Sequence, residues 1–432
     1  IRTSLTTITT RVYVDFIPRP PTTGGALARV HDGILLTTGD GSMYLIQEQA
    51  EEPWLTVRAL PQKVPLNLQS FKEDAFQGTD FNGFRTSDAI VLERSDSISV
   101  FSAHHYWNSE NNCYVVRVSR LDSSFERLIA PDANTEWQTV FDSQPCLTLR
   151  TTTTPFSGLM IGGRITFLDD ETLIISLGDQ GYDGYSALPD YPQNDDVDYG
   201  KLIRLNLTTG QASTLSKGHR NPQGLIVSSD QKIWSTEHGP EGGDELNLIR
   251  NGANYGWPEV TYGTGYGLDT WPPSDNPGRH VGFEPPVFSW VPSIGISDLT
   301  EVQSDLFPMW KGDLLIGSLT DSVLHRVRLQ NDRPVVIEPI YFGERLRDVI
   351  QAPSGKIVLW TDSGRLITVE PSTALTGREL YEQRCSSCHR LGNGQTHGIG
   401  PDLTTVYGRD IATALGYDYS DALAELDGTW TK

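Results

Sequence analysis

Short apolar runs separated by polar turns recur along most of this chain. Four segments share one pattern, in which an apolar start leads through a turn of Asp, Ser or Gly into a second apolar run that ends in Thr or Ser. These segments are 30–40, 167–179, 227–239 and 352–364. Runs of this length with such turns predict β-hairpins rather than helices. Their recurrence along the chain is typical of a β-propeller.

Further apolar runs predict strands between these hairpins, at 89–103, 112–121, 200–210, 312–329 and 334–342. The strand pattern stops near Glu370, and residues 371–376 have the composition of a short linker. After the linker, Gly377, Tyr381 and Cys385 are spaced by four residues and therefore lie on one face of a helix. The sequence predicts an all-β domain over 1–370, followed by a small α-helical domain over 371–432.

One long polar segment, 178–199, interrupts the strand pattern and carries six aspartates. A loop of this length within a compact domain usually has a function or is mobile. Five of its carboxylates offer the ligands of a calcium loop, although a solvated acidic loop is the preferred interpretation. These five are Asp183, Asp190, Asp195, Asp196 and Asp198.

The composition and charge of the chain limit the classes of partner that it can bind. The 432 residues include 37% apolar residues, 41 Gly and 26 Pro, which suits a large core built from short strands and turns. The formal net charge of −21 argues against nucleic acid or an anionic membrane as partner. No apolar run is long enough for a transmembrane helix. The sequence starts at Ile1, which fits a processed product or a fragment, so that an export signal is not in view.

Two of the four cysteines belong to the pattern Cys385-Ser-Ser-Cys388-His389. In such a motif the two thiols are placed to add to the vinyl groups of haem, and the imidazole to bind its iron. A lone motif of this kind also fits half of a zinc site or a redox pair. Here Tyr381 precedes it and Gly-Pro-Asp-Leu follows at 400–403. Together these residues resemble class I cytochromes c, in which the proline-bearing loop packs beside the haem-ligating histidine.

That resemblance implies a sixth iron ligand, which is not recognisable in this sequence. Methionine occurs only at positions 43, 160 and 309, all before the haem motif. His397 is a weak alternative, because its loop lies on the proximal side of the haem in cytochromes of this kind. The chain ends at Lys432, where the family still has a helix and its ligand loop, so we expect this cytochrome domain to be truncated.

Covalent haem attachment of this type takes place outside the cytoplasm, which predicts a periplasmic or extracellular protein. Cys113 and Cys146 are then free to pair, and no nearby Cys or His completes a metal site around them. We therefore predict a disulfide between them, with two buried free thiols as the alternative.

A second set of motifs lies between Lys217 and Pro258. In order, they are Gly-His-Arg-Asn-Pro-Gln-Gly-Leu at 218–225, Glu-His-Gly-Pro at 237–240, Gly-Asp-Glu-Leu-Asn at 243–247 and Asn-Tyr-Gly-Trp-Pro at 254–258. They resemble the soluble aldose (glucose/sorbosone-type) dehydrogenases that use pyrroloquinoline quinone (PQQ), many of which are fused to a cytochrome c. The resemblance covers about Gly162 to Glu370 and implies a six-bladed β-propeller.

In that family the cofactor lies in a shallow cup at the mouth of the propeller. By resemblance, Arg220 and Asn221 would contact PQQ, and Arg345 and Arg347 would hold its carboxylates. The alternative for the arginines is surface solvation.

The resemblance also implies two calcium ions. Backbone carbonyls of Gly239 and Pro240 would bind the Ca²⁺ that polarises the quinone, because this cation prefers oxygen ligands. Glu245 and Tyr255 match a second, structural calcium position. Turn geometry is the alternative role for the Gly-Pro pair.

Two positions depart from the family pattern. A histidine four or five residues before Arg164 acts in the family as the general base for the sugar C1 hydroxyl. This chain has Leu159 and Met160 there, and neither side chain accepts a proton. Thr320 stands where the family commonly has a lysine that pairs with the cofactor, so one positive charge is missing.

Two other histidines are candidates to replace the missing base. His219 or His238 would serve only if it faced the cup, and His238 is the better candidate. His104 and His105 are neighbours in a predicted strand, point to opposite faces and have a structural role in this interpretation.

Two functions stay open at this point. In the first, the protein is an exported haem c redox protein whose propeller has lost its quinone chemistry and serves as an interaction surface. In the alternative, it is an active PQQ- and calcium-dependent aldose dehydrogenase that passes electrons from a sugar to its own haem. Leu159, Met160 and Thr320 favour the first, and both functions require a redox partner protein.

Overall fold

The computed structural model of this chain describes residues 1–52, 54–75, 79, 81–130, 136–149, 156, 158–266, 278–372, 377–392 and 396–431. The chain forms two compact units, residues 1–370 and 371–432. Most of the predicted linker, 373–376, lies outside the described residues. Within the described ranges, no helix has both the length and the apolar character needed to cross a membrane.

The first unit consists of six β-sheets, the blades of a propeller. Strand β1 is Ile8–Tyr13, and blade 1 contains β2 (Gly25–Val30), β3 (Gly33–Thr38), β4 (Ser42–Glu48) and β5 (Leu55–Lys63). Blade 2 contains β6 (Thr86–Glu93), β7 (Ile98–Asn108), β8 (Cys113–Ser123), β9 (Trp137–Asp142) and β10 (Leu147–Thr148). Blade 3 contains β11 (Gly162–Asp169), β12 (Thr172–Leu177), β13 (Lys201–Asn206) and β14 (Ala212–Lys217).

The remaining blades follow in chain order. Blade 4 contains β15 (Pro222–Val227), β16 (Ile233–Glu237), β17 (Asp244–Ile249) and β18 (Phe288–Trp290). Blade 5 contains β19 (Ile296–Glu301), β20 (Leu314–Ser318), β21 (Val323–Gln330) and β22 (Arg333–Tyr341). Blade 6 contains β23 (Leu346–Gln351), β24 (Ile357–Thr361) and β25 (Leu366–Pro371). Two short helices, α1 (Leu68–Asp74) and α2 (Phe125–Leu128), and a 3₁₀ turn (Phe81–Gly83) lie in connections.

The ring is closed by the start of the chain. Strand β1 pairs with β25 and is the outermost strand of blade 6. The Trp360 indole of blade 6 also donates a 3.0 Å hydrogen bond to the Gly24 carbonyl beside blade 1. The first strand of each blade contacts the first strands of both neighbouring blades, so these six strands surround the central axis.

The apolar pattern of the sequence follows from position in a blade. Middle strands lie between two neighbouring blades, and β16 and β24 are buried at every residue. A strand that is buried on both faces requires a nearly continuous apolar run. Outermost strands such as β5 and β22 mix buried and exposed positions. The four predicted hairpins are confirmed as the connections between the first and second strands of blades 1, 3, 4 and 6.

The predicted disulfide is also confirmed. Cys113 and Cys146 are bonded, with their Cα atoms 5.6 Å apart. The bond joins the start of β8 to the segment that leads into β10 in the same blade. In the second unit, the described helices are α3 (Gly377–Arg384) and α4 (Asp421–Ala424).

Arg164 ties the blades together at the central axis. Its Nη1 lies 2.6 Å from Asp348 Oδ2, 3.3 Å from Asp88 Oδ1 and 3.7 Å from Asp298 Oδ1. Its Nε donates to the Gln223 carbonyl at 2.8 Å. These partners belong to the innermost strands of blades 2, 4, 5 and 6. Burial raises the pKa of Asp88 to about 7, although the nearby guanidinium favours its charged form.

We expect Arg164→Met to lower the free energy of unfolding by about 3–5 kcal/mol at neutral pH, because it leaves buried carboxylates without a cation. The deficit should shrink at lower pH, where these carboxyls are protonated. Chemical denaturation at two pH values measures both effects. Arg333→Met, on the exposed edge strand β22, is the matched control. Equal midpoints for the two variants would contradict the role of Arg164.

Candidate functional site: a cationic cup and a haem motif

A cavity of about 1060 Å³ opens at the end of the propeller where the innermost strands begin. Every blade contributes to it through the loop that precedes its first strand. These contributions are Thr23, Arg85, Met160, Arg220, Gly295 and Arg345, in the order of the blades. The loops after the second strands of blades 4, 5 and 6 complete the wall. We call this cavity the cup.

The predicted quinone contacts meet in the cup. Arg220, Asn221, Arg345 and Arg347 all line it, although they come from blades 4 and 6. The predicted calcium ligands Gly239 and Pro240, and the departing positions Leu159, Met160 and Thr320, line it as well. Sequence motifs that are far apart along the chain therefore share one cavity.

The two arginines of blade 6 are held by a carboxylate that the sequence did not single out. Asp362 Oδ1 accepts from Arg347 Nε at 2.8 Å, and Asp362 Oδ2 accepts from Arg345 Nε at 3.1 Å. Burial alone would raise the pKa of Asp362, but Arg347 and Arg345 hold it below its ordinary value. The Arg347 Nη1 group also reaches Gln223 Oε1 at 3.3 Å. The guanidinium groups are thus oriented before any ligand arrives.

Arg220 is oriented by backbone carbonyls. Its Nη1 donates to the Gly239 oxygen at 2.7 Å and to the His238 oxygen at 3.2 Å. Its guanidinium carbon lies 5.3 Å from the centre of the Trp257 ring. The Asn221 amide donates to the Leu159 oxygen at 3.2 Å, which fixes the neighbouring wall of the cup.

The lining of the cup is cationic in a protein that is acidic as a whole. Its described residues include four arginines and two carboxylates, whereas the formal net charge of the chain is −21. The fourth arginine, Arg85 of blade 2, was missed by sequence reasoning because no recognisable motif surrounds it. Arginine forks bind carboxylates in two-point contacts, so this lining suits a polyanionic ligand.

The second unit holds the haem motif in a defined turn. Helix α3 leads into Cys385, and the His389 amide donates to the Cys385 carbonyl at 2.7 Å. His389 Nδ1 is hydrogen-bonded to the Pro401 oxygen at 2.7 Å, as the proline-bearing loop predicts, which leaves Nε2 for a metal. A Cβ atom at Gly400 would lie only 2.3 Å from His389 Cε1, so glycine is required there.

The unit that contains the motif exposes apolar surface. Cys385 and Cys388 are free thiols. Large apolar side chains of this small unit are more than half exposed, namely Leu391, Ile399, Tyr407 and Leu415. Covalently attached haem would cover apolar surface of this kind and remove it from water.

Comparison with known proteins shows which families these features belong to. The sequence profile described as glucose/sorbosone dehydrogenase matches residues 94–368, and the cytochrome c profile matches residues 374–432. The chain belongs to the glucose/sorbosone dehydrogenase family. The resemblance to the aldose dehydrogenases and to cytochrome c, and the fold predicted from it, are thereby confirmed.

Two relatives of this glucose/sorbosone dehydrogenase family member match part of its sequence. An uncharacterised protein of Synechocystis is 35% identical over 257 residues, which cover 55% of this chain and 60% of the relative. The aldose sugar dehydrogenase YliI of Escherichia coli is 34% identical over 258 residues, 55% of this chain and 65% of the relative. The matched region thus spans less than two thirds of either relative.

Solved structures agree with the fold. The apo crystal structure of the soluble aldose sugar dehydrogenase of Escherichia coli has a TM-score of 0.67 at 26% identity, covering 85% of this chain and all of that chain. The PQQ-bound aldose sugar dehydrogenase of Streptomyces coelicolor has a TM-score of 0.59 at 20% identity, covering 85% and 99%. At that lower identity the likeness shows a shared fold.

Leu159 and Met160, which by resemblance stand at the position of the family base, offer no side-chain proton acceptor in the cup. Leu159 is 56% exposed there, and the neighbouring Met160 uses its backbone oxygen to accept from Gln180 Nε2 at 2.8 Å. His238 does line the cup, with its Nδ1 4.0 Å from Asp244 Oδ1. Burial and the nearby arginines lower the pKa of His238 to about 4, against the charge of Asp244, so its imidazole is neutral at pH 7.

His219 does not share this position. It is fully buried, with Nδ1 2.9 Å from Glu237 Oε2 and Nε2 2.8 Å from Ser216 Oγ. His104 and His105 are likewise buried in β7, in line with a structural role. Among the cup residues that the structure describes, His238 is therefore the imidazole to consider.

The predicted calcium positions differ in how well they fit a cation. The Gly239 oxygen already accepts from Arg220, so a calcium ion there would have to share that oxygen with a guanidinium. Glu245 is buried opposite Glu237 in the β16–β17 pairing. Burial, and then the charge of Glu237, raise the pKa of Glu245 to about 8. The Tyr255 hydroxyl donates to the Leu248 oxygen at 2.6 Å and accepts from the Arg250 amide at 3.0 Å, so both hydrogen bonds would compete with a cation at the hydroxyl oxygen.

The acidic loop is more ordered than a solvated loop. Asp183 is buried and accepts from the amides of Tyr185 and Ser186, while the Asp198 carboxylate accepts from the Gln144 amide at 2.7 Å. Asp195 and Asp196 are exposed, as that interpretation requires. Over the described residues, no cluster of acidic, His or Cys side chains suited to a metal ion is found. The prediction of a solvated loop is therefore corrected: several of these carboxylates accept hydrogen bonds from backbone amides and so hold the turns in place.

Asp179, at the start of the same loop, was also missed by sequence reasoning. It lines a smaller cavity of about 220 Å³ that shares Met160 and Arg220 with the cup. Asp179 Oδ2 accepts from the Trp257 indole at 2.8 Å, and Oδ1 accepts from the Gly181 amide at 2.6 Å. Burial raises the pKa of Asp179 to about 7, although Arg220 opposes this shift.

This raised pKa predicts a pH dependence of stability. The folded state holds the proton of Asp179 more tightly than the unfolded state, so its contribution is complete below about pH 4 and is lost as the pH rises through about 7. Asp179→Asn should remove about 2–4 kcal/mol of that decline in the free energy of unfolding. Denaturant titrations at several pH values measure it. Asp196→Asn, exposed in the same loop, should keep the wild-type slope, and an unchanged slope in Asp179→Asn would refute the assignment.

Proposed function

We propose that this chain is a two-unit redox protein, in which the propeller cup binds a PQQ-type quinone and haem c passes electrons to a partner protein. The convergence of arginines from three blades in one cavity carries the proposal. In a protein that is acidic as a whole, the arginines of the cup are not needed for solubility. A ligand with three carboxylates, in contrast, would pair with each of them.

Different residues of the cup would bind different parts of the cofactor. Arg345 and Arg347 face the cavity as a pair of forks held by Asp362, and they would pair with cofactor carboxylates. Arg220 and Asn221 would contact the quinone from the neighbouring wall. When bound, PQQ supplies an acceptor for two electrons and a proton. The protein supplies orientation and charge.

Calcium is part of this proposal. Carbonyls of Gly239 and Pro240 would hold one ion in the cup, where the Arg220 guanidinium would have to move or share the Gly239 oxygen. Glu245, its neighbour Glu237 and the backbone of Tyr255 would hold a second ion. That site is supported by two facing carboxylates in a small cavity that also contains Gly239 and Tyr255.

Haem c is proposed for Cys385, Cys388 and His389, with His389 Nε2 as the axial ligand. His397 is a poor sixth ligand, because Nε2 is 3.0 Å from the Leu415 oxygen and Nδ1 accepts from the Asp402 amide. The absence of a methionine after the motif leaves the sixth ligand unassigned. A haem-bearing unit of this kind implies a redox partner protein.

An exported location follows from the same chemistry. Covalent haem attachment and the Cys113–Cys146 disulfide both belong to oxidising compartments outside the cytoplasm. We infer a periplasmic or extracellular protein.

A second candidate function is a propeller that binds without oxidising sugars. It is favoured by one observation, that Leu159 and Met160 replace the family base with apolar side chains. Active dehydrogenation of an aldose would need another acceptor for the C1 hydroxyl proton, and neutral His238 is the imidazole among the described cup residues that could take it.

Titration of the purified haem-loaded protein with PQQ and excess Ca²⁺ separates these functions. We expect saturable quenching of tryptophan fluorescence at micromolar PQQ, because four arginines line the cup. Reduction of haem on adding a panel of aldoses, followed in the visible absorption spectrum, would favour the active dehydrogenase. Binding without reduction would favour the second candidate. No PQQ binding at all would end the cofactor proposal.

Restoring an imidazole at the family position should raise the rate of sugar oxidation. We expect Leu159→His or Met160→His, loaded with PQQ and Ca²⁺, to reduce haem with aldoses at least about tenfold faster, since general bases typically contribute more than that. Val291→His places an imidazole elsewhere on the wall of the cup and is the control. Equal rates for all three variants would show that the missing base does not limit the reaction.

A further inference from the structure

The cup has lost one cation of its family and contains another on the opposite wall. Thr320 follows β20 in blade 5 and lines the cup, and by resemblance it stands where the family commonly has a lysine. Arg85 directly precedes β6 in blade 2. Blades 2 and 5 are three positions apart in a ring of six, so the two residues face each other across the cup.

The local structure aims the Arg85 side chain into this space. Arg85 lines both the cup and a second, small void, which Arg164 and Arg347 also line. Its Nη1 group donates to Thr23 Oγ1 at 3.3 Å. A Cβ atom at Gly24 would lie 2.8 Å from Arg85 Cδ, and Gly24 has a φ of +105°. Glycine at position 24 therefore leaves room for the aliphatic part of the Arg85 side chain.

The backbone of Arg85 is also fixed. Its carbonyl accepts from the His105 amide at 3.0 Å, and its amide lies 3.4 Å from His105 Nδ1. The residue is only 6% exposed, so its position is set by the fold.

We infer that Arg85 anchors the polycarboxylate ligand of the cup, and supplies from blade 2 the positive charge that the family supplies by a lysine at the position of Thr320. The inference rests on the proposed quinone function and assigns a binding residue that the family motifs do not indicate. Arg85 lines the cup together with Arg220, Arg345 and Arg347, so a ligand with several carboxylates would meet its positive charge as well as theirs.

Equilibrium binding of PQQ in the presence of Ca²⁺, followed by tryptophan fluorescence, tests this role. We expect Arg85→Gln to raise the dissociation constant about tenfold to a hundredfold, and Arg85→Lys to raise it less. Thr320→Lys added to Arg85→Gln should recover most of the lost affinity. Arg58→Gln, exposed on the outer strand of blade 1, makes the same charge change and should bind as wild type. Arg85→Met replaces the Gln variant if that protein does not fold.

The outcomes separate this inference from the proposed function. Wild-type binding that Arg85→Gln leaves unchanged overturns the role of Arg85 and keeps the quinone site. The single variant Thr320→Lys is measured beside the wild type. If this variant binds PQQ and the wild type does not, the role of Arg85 is also overturned, because the cup would then still need the lysine. If neither the wild type nor Thr320→Lys binds PQQ, the proposed function and the inference both end.

Discussion

The contact of the Arg164 guanidinium with carboxylates and carbonyls at the propeller axis sets the geometry on which the cup depends. One side chain of blade 3 meets the innermost strands of four other blades, within 2.6–3.7 Å of three buried carboxylates. The cup residues Arg85, Arg220 and Arg345 each lie within two residues of the start of an innermost strand. Any shift of those strands against each other would therefore move the ligand contacts directly.

The charge of the cup and the charge of the whole chain act over different distances. Surface carboxylates are screened by salt beyond about 8 Å at physiological ionic strength. Inside the cavity, Arg347 and Arg220 are close to a ligand and partly shielded from water, so their attraction dominates once an anion has entered. Asp362 makes this possible, because it holds two guanidinium groups close together before the ligand arrives. The acidic exterior and the cationic cup are compatible for this reason.

The sequence predicted features that depend on local pattern or on a motif. The hairpins, the Cys113–Cys146 pairing and the meeting of Arg220 with Arg345 in one cup fall in this class. Arg85, Asp179 and Asp362 were not predicted, because their importance comes from blades that meet only when the ring closes. The hydrogen bond from Arg220 to the Gly239 carbonyl was not predicted either, since no sequence pattern shows from which of several donors a carbonyl accepts a hydrogen bond. Burial of part of the acidic loop depended in the same way on tertiary contacts such as that of Asp198 with Gln144.

Binding and proton transfer respond differently to the two departures from the family. In the proposed function, charge pairing with the cofactor would be distributed over several blades, so a threonine instead of a lysine at position 320 would remove one contribution among several. Proton abstraction depends on one group within hydrogen-bond reach of one hydroxyl, and Leu159 and Met160 cannot share that task with their neighbours. His238 stands on the wall formed by blade 4, next to the carbonyls that would hold calcium. If the cup binds a quinone as proposed, it should therefore keep that affinity through changes that already slow or stop the oxidation of a sugar.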